Sequence, residues 1–338
     1  APVDNAVLDL KTFDLTVNGV KNVFISDSQR VAIYPYNQRL VIKKNRDIKF
    51  DGVVQAGLFT VFGHDFRFSY DTFKIRLQKI DSIRIAVETG KTDQIGNPVI
   101  EDINSLIQLS KGEIYIDNPN NKAGLKSYAQ YPIIDASTYS YIFYDRIPGL
   151  ENVYKKDNFY FRIDPFVFEH IDHYMKEDMN LKGEFFAGNI LKPTKQFLTI
   201  QENNSLGFQM IVPKEGVDLY DGKARIFDQM NMSNRGLTGS GTLKHLTSTT
   251  TAEDYRFFPD SMLTKAKTFN IARDGTGIFP ELASSDVDIK WLPGKDEWTA
   301  RNSKDSNFTM FANGTSLNGS ITLKPKQLSG SGIINTAD

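Results

Sequence analysis

Alternation of apolar and polar residues is the feature that most limits what this chain can fold into. In the stretch HDFRFSYDTFKIRLQKIDSIRIAV, residues 64–87, apolar side chains recur at every second position over several runs. Phe66 and Phe68 belong to one run, and Ile75 and Leu77 belong to the next. A period of two places such side chains on one face of a strand and the charged residues on the other. The stretch therefore predicts successive short strands, each with one buried face.

The same alternation recurs at 114–116, 159–163 and 287–291. Between such runs lie turns rich in Gly, Asn, Asp and Pro, of which DNPNNKAG at 117–124 is an example. Strands of four to seven residues separated by such turns are typical of a β-rich protein.

Helical periodicity is confined to two short segments. In DPFVFEHIDHYMKE, residues 164–177, Asp164 is placed as an N-cap and Pro165 as the first helical residue. The second segment is IEDINSLIQL, residues 100–109, where apolar residues are spaced three and four apart. We therefore predict a mainly β chain, either an elongated stacked β-sheet or a β-solenoid of the β-helix kind, with one or two short helices.

Two β-rich parts are predicted. The N-terminal part, residues 1–180, ends in the short helix at about 164–177, and the C-terminal part, residues 181–338, continues from it. At 338 residues the chain is long enough for one large β unit or for two domains.

Short glycine phrases recur along the chain. GLTGSGTL at 236–243 returns as LSGSGII at 328–334, with a weaker copy, LNGSITL, at 317–323, and the segment 50–59 resembles 181–190. A phosphate-binding loop would need a Lys-Ser or Lys-Thr ending and a following helix, which GLTGSGTL lacks. We interpret these phrases as places where glycine permits a bend or a close approach of two backbones in a stacked β architecture.

The overall composition excludes several classes of protein. Forty basic and forty-one acidic residues give a net charge of −1, which argues against a nucleic-acid-binding protein. The chain has no cysteine, so disulfides, thiolate metal sites and cysteine nucleophiles are excluded. No apolar run approaches the roughly 20 residues that a membrane-spanning helix needs, so no transmembrane segment is predicted in this chain.

Two sets of residues are candidates for binding chemistry. His170, His173 and Glu177 would lie on one face of the predicted helix, where their spacing suits a metal ion. The alternative is that His170 packs on the core side while the other two are solvated. Trp291 and Trp298 are candidates for stacking on a glycan, and packing in the core is the alternative for both.

No catalytic pattern is visible in the sequence. Ser240 and Ser331 are flanked by single glycines and do not form the Gly-x-Ser-x-Gly turn of a nucleophilic serine. The acidic residues offer many pairs, and their spacing selects none as a glycosidase pair. We predict no catalytic residues and no cofactor.

Several phrases resemble very large envelope proteins of Bacteroidetes that have no assigned activity. The phrases are GLFTVFGHDFRFSYDTFKIRLQKIDSI, GEIYIDNPNNKAG, NFYFRIDPFVFEHID and YRFFPDSM, and the likeness extends from about residue 13 to the end. The resemblance implies that this chain is a segment of a longer protein in the periplasm, at the cell surface or secreted. A looser similarity is to envelope proteins of the TamB and AsmA type, whose β-sheet grooves suit lipid transfer.

These observations favour a non-catalytic structural or interaction segment of a large bacterial envelope or surface protein. Its expected partners are other envelope or surface proteins, or a glycan or lipid, and not a nucleic acid. Two alternatives stay open: a lipid-handling β groove of the TamB and AsmA type, and a β-helix that binds or cleaves polysaccharide.

Overall fold

The computed structural model describes residues 5–336 except 274, 276, 278, 304, 312 and 313. Strands hold 58% of the residues and helical turns 3%, so the prediction of a mainly β chain is confirmed. The strands form two large antiparallel sheets.

In the part of the chain that the structure describes, 29 strands are defined. The first eleven are β1 (Ala6–Leu8), β2 (Leu15–Asn18), β3 (Val23–Ser26), β4 (Val31–Pro35), β5 (Arg39–Ile42), β6 (Ile48–Ala56), β7 (Phe59–Ser69), β8 (Lys74–Thr92), β9 (Pro98–Asp102), β10 (Gln108–Leu109) and β11 (Gly112–Tyr115). The next ten are β12 (Ile133–Ala136), β13 (Ser140–Phe143), β14 (Phe159–Ile163), β15 (Phe166–Phe168), β16 (Leu181–Ala187), β17 (Thr194–Ile200), β18 (Leu206–Ile211), β19 (Val217–Leu219), β20 (Ala224–Ile226) and β21 (Gln229–Ser233). The last eight are β22 (Gly236–His245), β23 (Ser248–Phe257), β24 (Met262–Ile271), β25 (Leu282–Leu292), β26 (Glu297–Asn302), β27 (Phe308–Met310), β28 (Thr315–Lys324) and β29 (Gln327–Asn335).

Helical structure among these residues is limited to three short 3₁₀ turns, at Tyr36–Gln38, Lys176–Asp178 and Pro293–Lys295. The described residues include no helix long and apolar enough to cross a membrane, as the sequence predicted.

The predicted helix at 164–177 is wrong. Phe166–Phe168 is strand β15, and it pairs with β12 so that Phe168 lies opposite Ile134. The chain then turns at His170, whose φ is 52°, and only Lys176–Asp178 is helical. The paired residues of β12 lie at least 30 positions earlier in the sequence, and pairing with them overrides the local helix signals.

The second predicted helix, at 100–109, is also wrong. Half of this segment belongs to β9, Pro98–Asp102, and β10, Gln108–Leu109, and none of it is helical. β9 pairs with β8, so the apolar spacing of three and four here does not reflect a helical face.

The chain divides into two compact units, each assembled from several segments. Unit 1 comprises Ala1–Phe143, Phe161–Glu184 and Phe197–Leu206, and unit 2 comprises Tyr144–Tyr160, Phe185–Gln196 and Gly207–Asp338. The predicted parts 1–180 and 181–338 are single stretches, whereas both of these units are discontinuous in sequence.

Unit 1 contains the whole 12-stranded sheet. Its main path runs β1-β2-β5-β6-β7-β8-β11-β12-β15, and β3, β4 and β9 pair at its sides. The alternating stretch that predicted short strands forms most of β7 and β8, which are longer than expected, at 11 and 19 residues. Phe66 lies opposite Leu77 and both are buried, so the predicted apolar face is confirmed.

In unit 2 the sheet follows chain order from β19 to β29. From β22 to β26 each strand pairs with the next, and short turns join most of them. Leu237, Phe257, Met262 and Trp291 succeed one another across β22 to β25, and all four are buried, so they form one apolar row of the core.

The recurrent glycine phrases lie where backbones approach closely. On Gly52 a β-carbon would stand 2.3 Å from the carbonyl oxygen of Tyr34, and on Gly183 it would stand 2.2 Å from that of Arg162. Gly319 of β28 and Gly332 of β29 lie opposite each other, and a β-carbon on either one would be too close to a backbone carbonyl oxygen of the other strand. The interpretation that glycine permits close backbone approach is therefore confirmed at Gly52, Gly183, Gly319 and Gly332. In GLTGSGTL the nearest atoms belong to side chains instead, of Tyr154 at Gly236 and of Asp228 at Gly241.

Candidate functional site

An open cleft of about 620 Å³ lies on the outer face of β23–β26 in unit 2. Its lining residues are Asp254, Arg256, Leu263, Thr264, Lys265, Asp288, Ile289, Lys290, Thr299 and Arg301. Thr264 and Ile289 are buried, and the other lining side chains are exposed or half-buried.

Period-two alternation on four neighbouring strands creates this surface. The inward positions fill the core with Tyr255, Phe257, Met262, Ala266, Val287, Ile289, Trp291, Trp298 and Ala300. The residues between them point outward, because successive side chains of a strand alternate between the two faces. The apolar inward face thus fixes which side chains line the cleft.

The register of the strands aligns the outward residues into two rows. In the first row Leu263 lies opposite Arg256 on one side and Lys290 on the other. In the second row Asp288 lies between Lys265 and Arg301. Directly opposite residues lie close together on one face of a sheet, so each row presents its side chains next to one another.

Cations outnumber carboxylates in the cleft by four to two. Nε of Arg256 lies 3.1 Å from Oδ2 of Asp254, so one cation is already paired. Lys265, Lys290 and Arg301 form no ion pair with any described residue, and neither does Asp288. Three cations and one carboxylate are therefore available to a ligand, and this set suits the binding of an anionic group.

The residues predicted to bind a metal lie in unit 1 without forming a metal site. Nδ1 of His173 lies 2.9 Å from Oε1 of Glu88. Nδ1 of His170 contacts the backbone carbonyl oxygen of Ala129 instead. Glu177 is exposed in the 3₁₀ turn. Within the described ranges, no three His, Cys, Asp or Glu side chains are grouped so that they could hold a metal ion. The helical face that would have presented the predicted ligands does not exist.

The predicted glycan-stacking tryptophans are in the core. Trp291 and Trp298 are opposite each other on β25 and β26, and both are 0% exposed. A ring must be exposed to stack on a sugar, so these two candidates are not available to a glycan, and the structure shows the alternative, core packing. The alternation Val287-Ile289-Trp291 already placed Trp291 on the same face as two aliphatic residues.

The two tryptophans pack against a buried histidine, His245, for which the strand-like sequence around it indicates a structural or surface position. The ring of His245 is stacked on Trp298 at 5.0 Å between centroids, and it lies 4.7 Å from Trp291. Its Nδ1 donates a hydrogen bond to the carbonyl oxygen of Lys223 at 2.8 Å, and its Nε2 has no partner among the described residues. Burial lowers the pKa of His245, so the ring is held neutral.

Comparisons with known proteins add nothing to this geometry. No family model, no curated protein and no solved structure matches the chain. The expected kinship with Bacteroidetes envelope proteins, the expected location and the expected partners therefore stay predictions.

Proposed function

We propose that this chain is a non-catalytic interaction segment of a large bacterial envelope or surface protein, and that the cleft on β23–β26 is its binding face. The observation that carries the proposal is the set of three cations in that cleft that pair with no carboxylate of the described residues, Lys265, Lys290 and Arg301. The ligand is an acidic segment of a partner protein.

The charge of the cleft and the rigidity of its strands both favour binding there. The chain as a whole has a net charge of −1, so an excess of cations in one cleft is a local feature. The side chains stand on neighbouring paired strands, and their backbone positions are fixed before a ligand arrives. Such preorganisation lowers the cost of binding, and charge complementarity speeds association and selects the partner.

The proposal includes the envelope location and the stacked-sheet form of the fold. Both come from the sequence: the resemblance to Bacteroidetes proteins supports the location, and the recurrent glycine phrases support the stacking. A chain without cysteine is compatible with an oxidising compartment.

The binding test uses an acidic probe of defined chemistry. We expect a polyglutamate peptide of about ten residues to bind the protein in a salt-dependent manner, because screening weakens exposed charge pairs. The variant Lys290→Glu/Arg301→Glu reverses one charge in each row, and we expect its affinity to be at least about tenfold lower by calorimetric titration.

The matched control is Lys195→Glu. This lysine is also exposed on a strand of unit 2 and is not part of the cleft. We expect it to bind the probe as the unmodified protein does. Equal binding by the control and by the cleft variant contradicts the role of the cleft.

The location is tested separately, on the natural parent protein in its own cells. We expect antibodies raised against this chain to detect the parent in the envelope fraction. Recovery from the cytoplasmic fraction alone contradicts the location and leaves the binding test untouched.

The two alternatives receive no comparable support. A lipid groove needs an open apolar surface, whereas Phe66 and Leu77, and likewise Phe159 and Phe161, are buried. A polysaccharide site based on the two tryptophans lacks exposed rings.

A further inference from the structure

Asp288 lies among three cations of the cleft on β23–β26. Lys265 and Arg301 are directly opposite it on β24 and β26. Lys290 follows two residues later on β25, on the same outward face. All four residues are exposed. The cleft is therefore not uniformly positive, because a carboxylate lies between its cations.

The charge of Asp288 is not neutralised within the fold. Its carboxylate forms no ion pair in the part of the chain that the structure describes, and neither do the three cations around it. The other carboxylate that lines the cleft, Asp254, is paired with Arg256. A ligand in the cleft therefore meets one negative charge as well as three positive ones.

A bound acidic segment has to accommodate this negative charge. Carboxylates that pair with Lys265 and Arg301 lie on either side of Asp288, one strand away from it in each direction. A third acidic side chain between them would face Asp288, and like charges placed against each other at an interface weaken binding. A lysine or an arginine between them would instead pair with Asp288. The cleft thus favours an acidic segment that is interrupted by one cation.

We infer that Asp288 is a specificity-determining residue of the cleft, and that it selects a segment in which one Lys or Arg lies between two acidic residues. This inference rests on the proposed function, that the cleft binds an acidic segment, and it names the charge pattern of that segment. Alternate residues of an extended segment lie on one face, so the pattern is acid-x-base-x-acid. Its two acids are about 13 Å apart, and the strands of Lys265 and Arg301 are about 10 Å apart, a difference that these long side chains can cover.

Two peptides of equal composition test the pattern. One is Glu-Ser-Lys-Ser-Glu-Ser-Glu, in which the lysine lies between two acids, and the other is Lys-Ser-Glu-Ser-Glu-Ser-Glu, in which it does not. Both have blocked termini, a fluorophore and the same net charge, so a difference in affinity comes from the position of the lysine. We expect the first peptide to bind about two- to fivefold more tightly in fluorescence anisotropy at about 0.01 M ionic strength, the range that one exposed ion pair gives.

The protein variant Asp288→Asn assigns that preference to its residue. Asparagine keeps the size of the side chain and removes the negative charge, and the position is exposed, so the fold is retained. We expect the variant to bind the two peptides equally. We also expect it to bind a polyglutamate peptide of about ten residues about two- to fivefold more tightly than the unmodified protein does, because a repulsion is removed.

The matched control is Glu281→Gln. Glu281 is exposed, lies immediately before β25 and does not line the cleft. The substitution removes the same charge, so we expect the control to keep the preference for the first peptide and to bind polyglutamate as the unmodified protein does. A control that behaves like Asp288→Asn overturns the inference, because the effect then comes from net charge alone.

Two kinds of failure are distinguishable. If all three peptides bind and Lys290→Glu/Arg301→Glu weakens each of them, equal affinities for the two lysine-containing peptides overturn the role of Asp288, while the cleft stays a binding face for acidic segments. A preference that persists in Asp288→Asn has the same meaning. Absence of any binding at about 1 mM peptide overturns this inference and the proposed function together.

Discussion

Gly319 lies at a position where the fold leaves no room for a side chain. A β-carbon there would stand 2.0 Å from the carbonyl oxygen of Ser331 and 2.8 Å from Cα of Gly332. Both obstructing atoms belong to a backbone and not to the end of a flexible side chain. Accommodating a methyl group would force β28 and β29 apart.

We therefore expect Gly319→Ala to destabilise the protein by about 1–3 kcal/mol, the usual cost of inserting atoms where there is no room. Urea unfolding followed by tryptophan fluorescence measures the change. Gly294→Ala is the control, since nothing lies within 4 Å of a β-carbon at that position. Equal effects of the two substitutions argue against close strand approach as the reason for glycine.

At the scale of elements, His245 connects three strands. It is the last residue of β22, and its ring packs against Trp291 of β25 and Trp298 of β26. Burial is the main cause of its lowered pKa, and the hydrogen bond to the carbonyl of Lys223 acts in the opposite direction. Protonation would add a buried N–H at Nε2, for which the described residues offer no acceptor.

The stability of the protein should therefore fall as the pH decreases. An unfolded histidine takes up a proton near pH 6.5, whereas the folded one does so only at lower pH, so acid favours the unfolded chain. The loss begins as the pH falls through about 6.5, with a slope of at most about 1.4 kcal/mol per pH unit.

Thermal melting between about pH 7.5 and 5.5 measures this dependence, since most carboxylates stay ionised over that range. We expect His245→Phe to keep the ring stack and to lose much of the pH dependence. His64→Gln, at an exposed position of β7, should retain it. A pH dependence unchanged in His245→Phe contradicts this assignment.

For the whole molecule, we expect its stability to be independent of metal ions. Within the described ranges no three His, Cys, Asp or Glu side chains are grouped so that they could hold a metal ion, and a ligand stabilises only a fold that binds it. Melting with EDTA and with added Zn²⁺ or Ca²⁺ should give midpoints that agree within about 1 °C. A clear rise with one ion points to a site assembled from residues not grouped in this structure.

The sequence predicted the strands better than it predicted the site. Alternation such as that around Phe66 identifies a strand and its buried face, because that signal lies within one segment. Asp164 and Pro165 have the residue types that typically begin a helix. The strand that pairs with Phe166–Phe168 is β12, which lies well before them in the sequence. A local sequence pattern does not show which distant strand a segment will pair with.

The cleft could not be predicted from the sequence of any single strand. Lys265, Asp288 and Arg301 each occupy an outward position, which alternation predicts for each of them. That they form one row follows from the register between β24, β25 and β26. Turn geometry and pairing fix that register, so the row cannot be read from composition or spacing.

The order of strands in unit 2 has a consequence for the way the protein is made. From β22 to β26 every strand pairs with the one just before it in the chain. Contacts between neighbours in sequence need only short loops to close, and they form faster than distant β pairings. The sheet can grow one strand at a time as the chain emerges from the ribosome, and at each stage the strand formed last offers its free edge to the next.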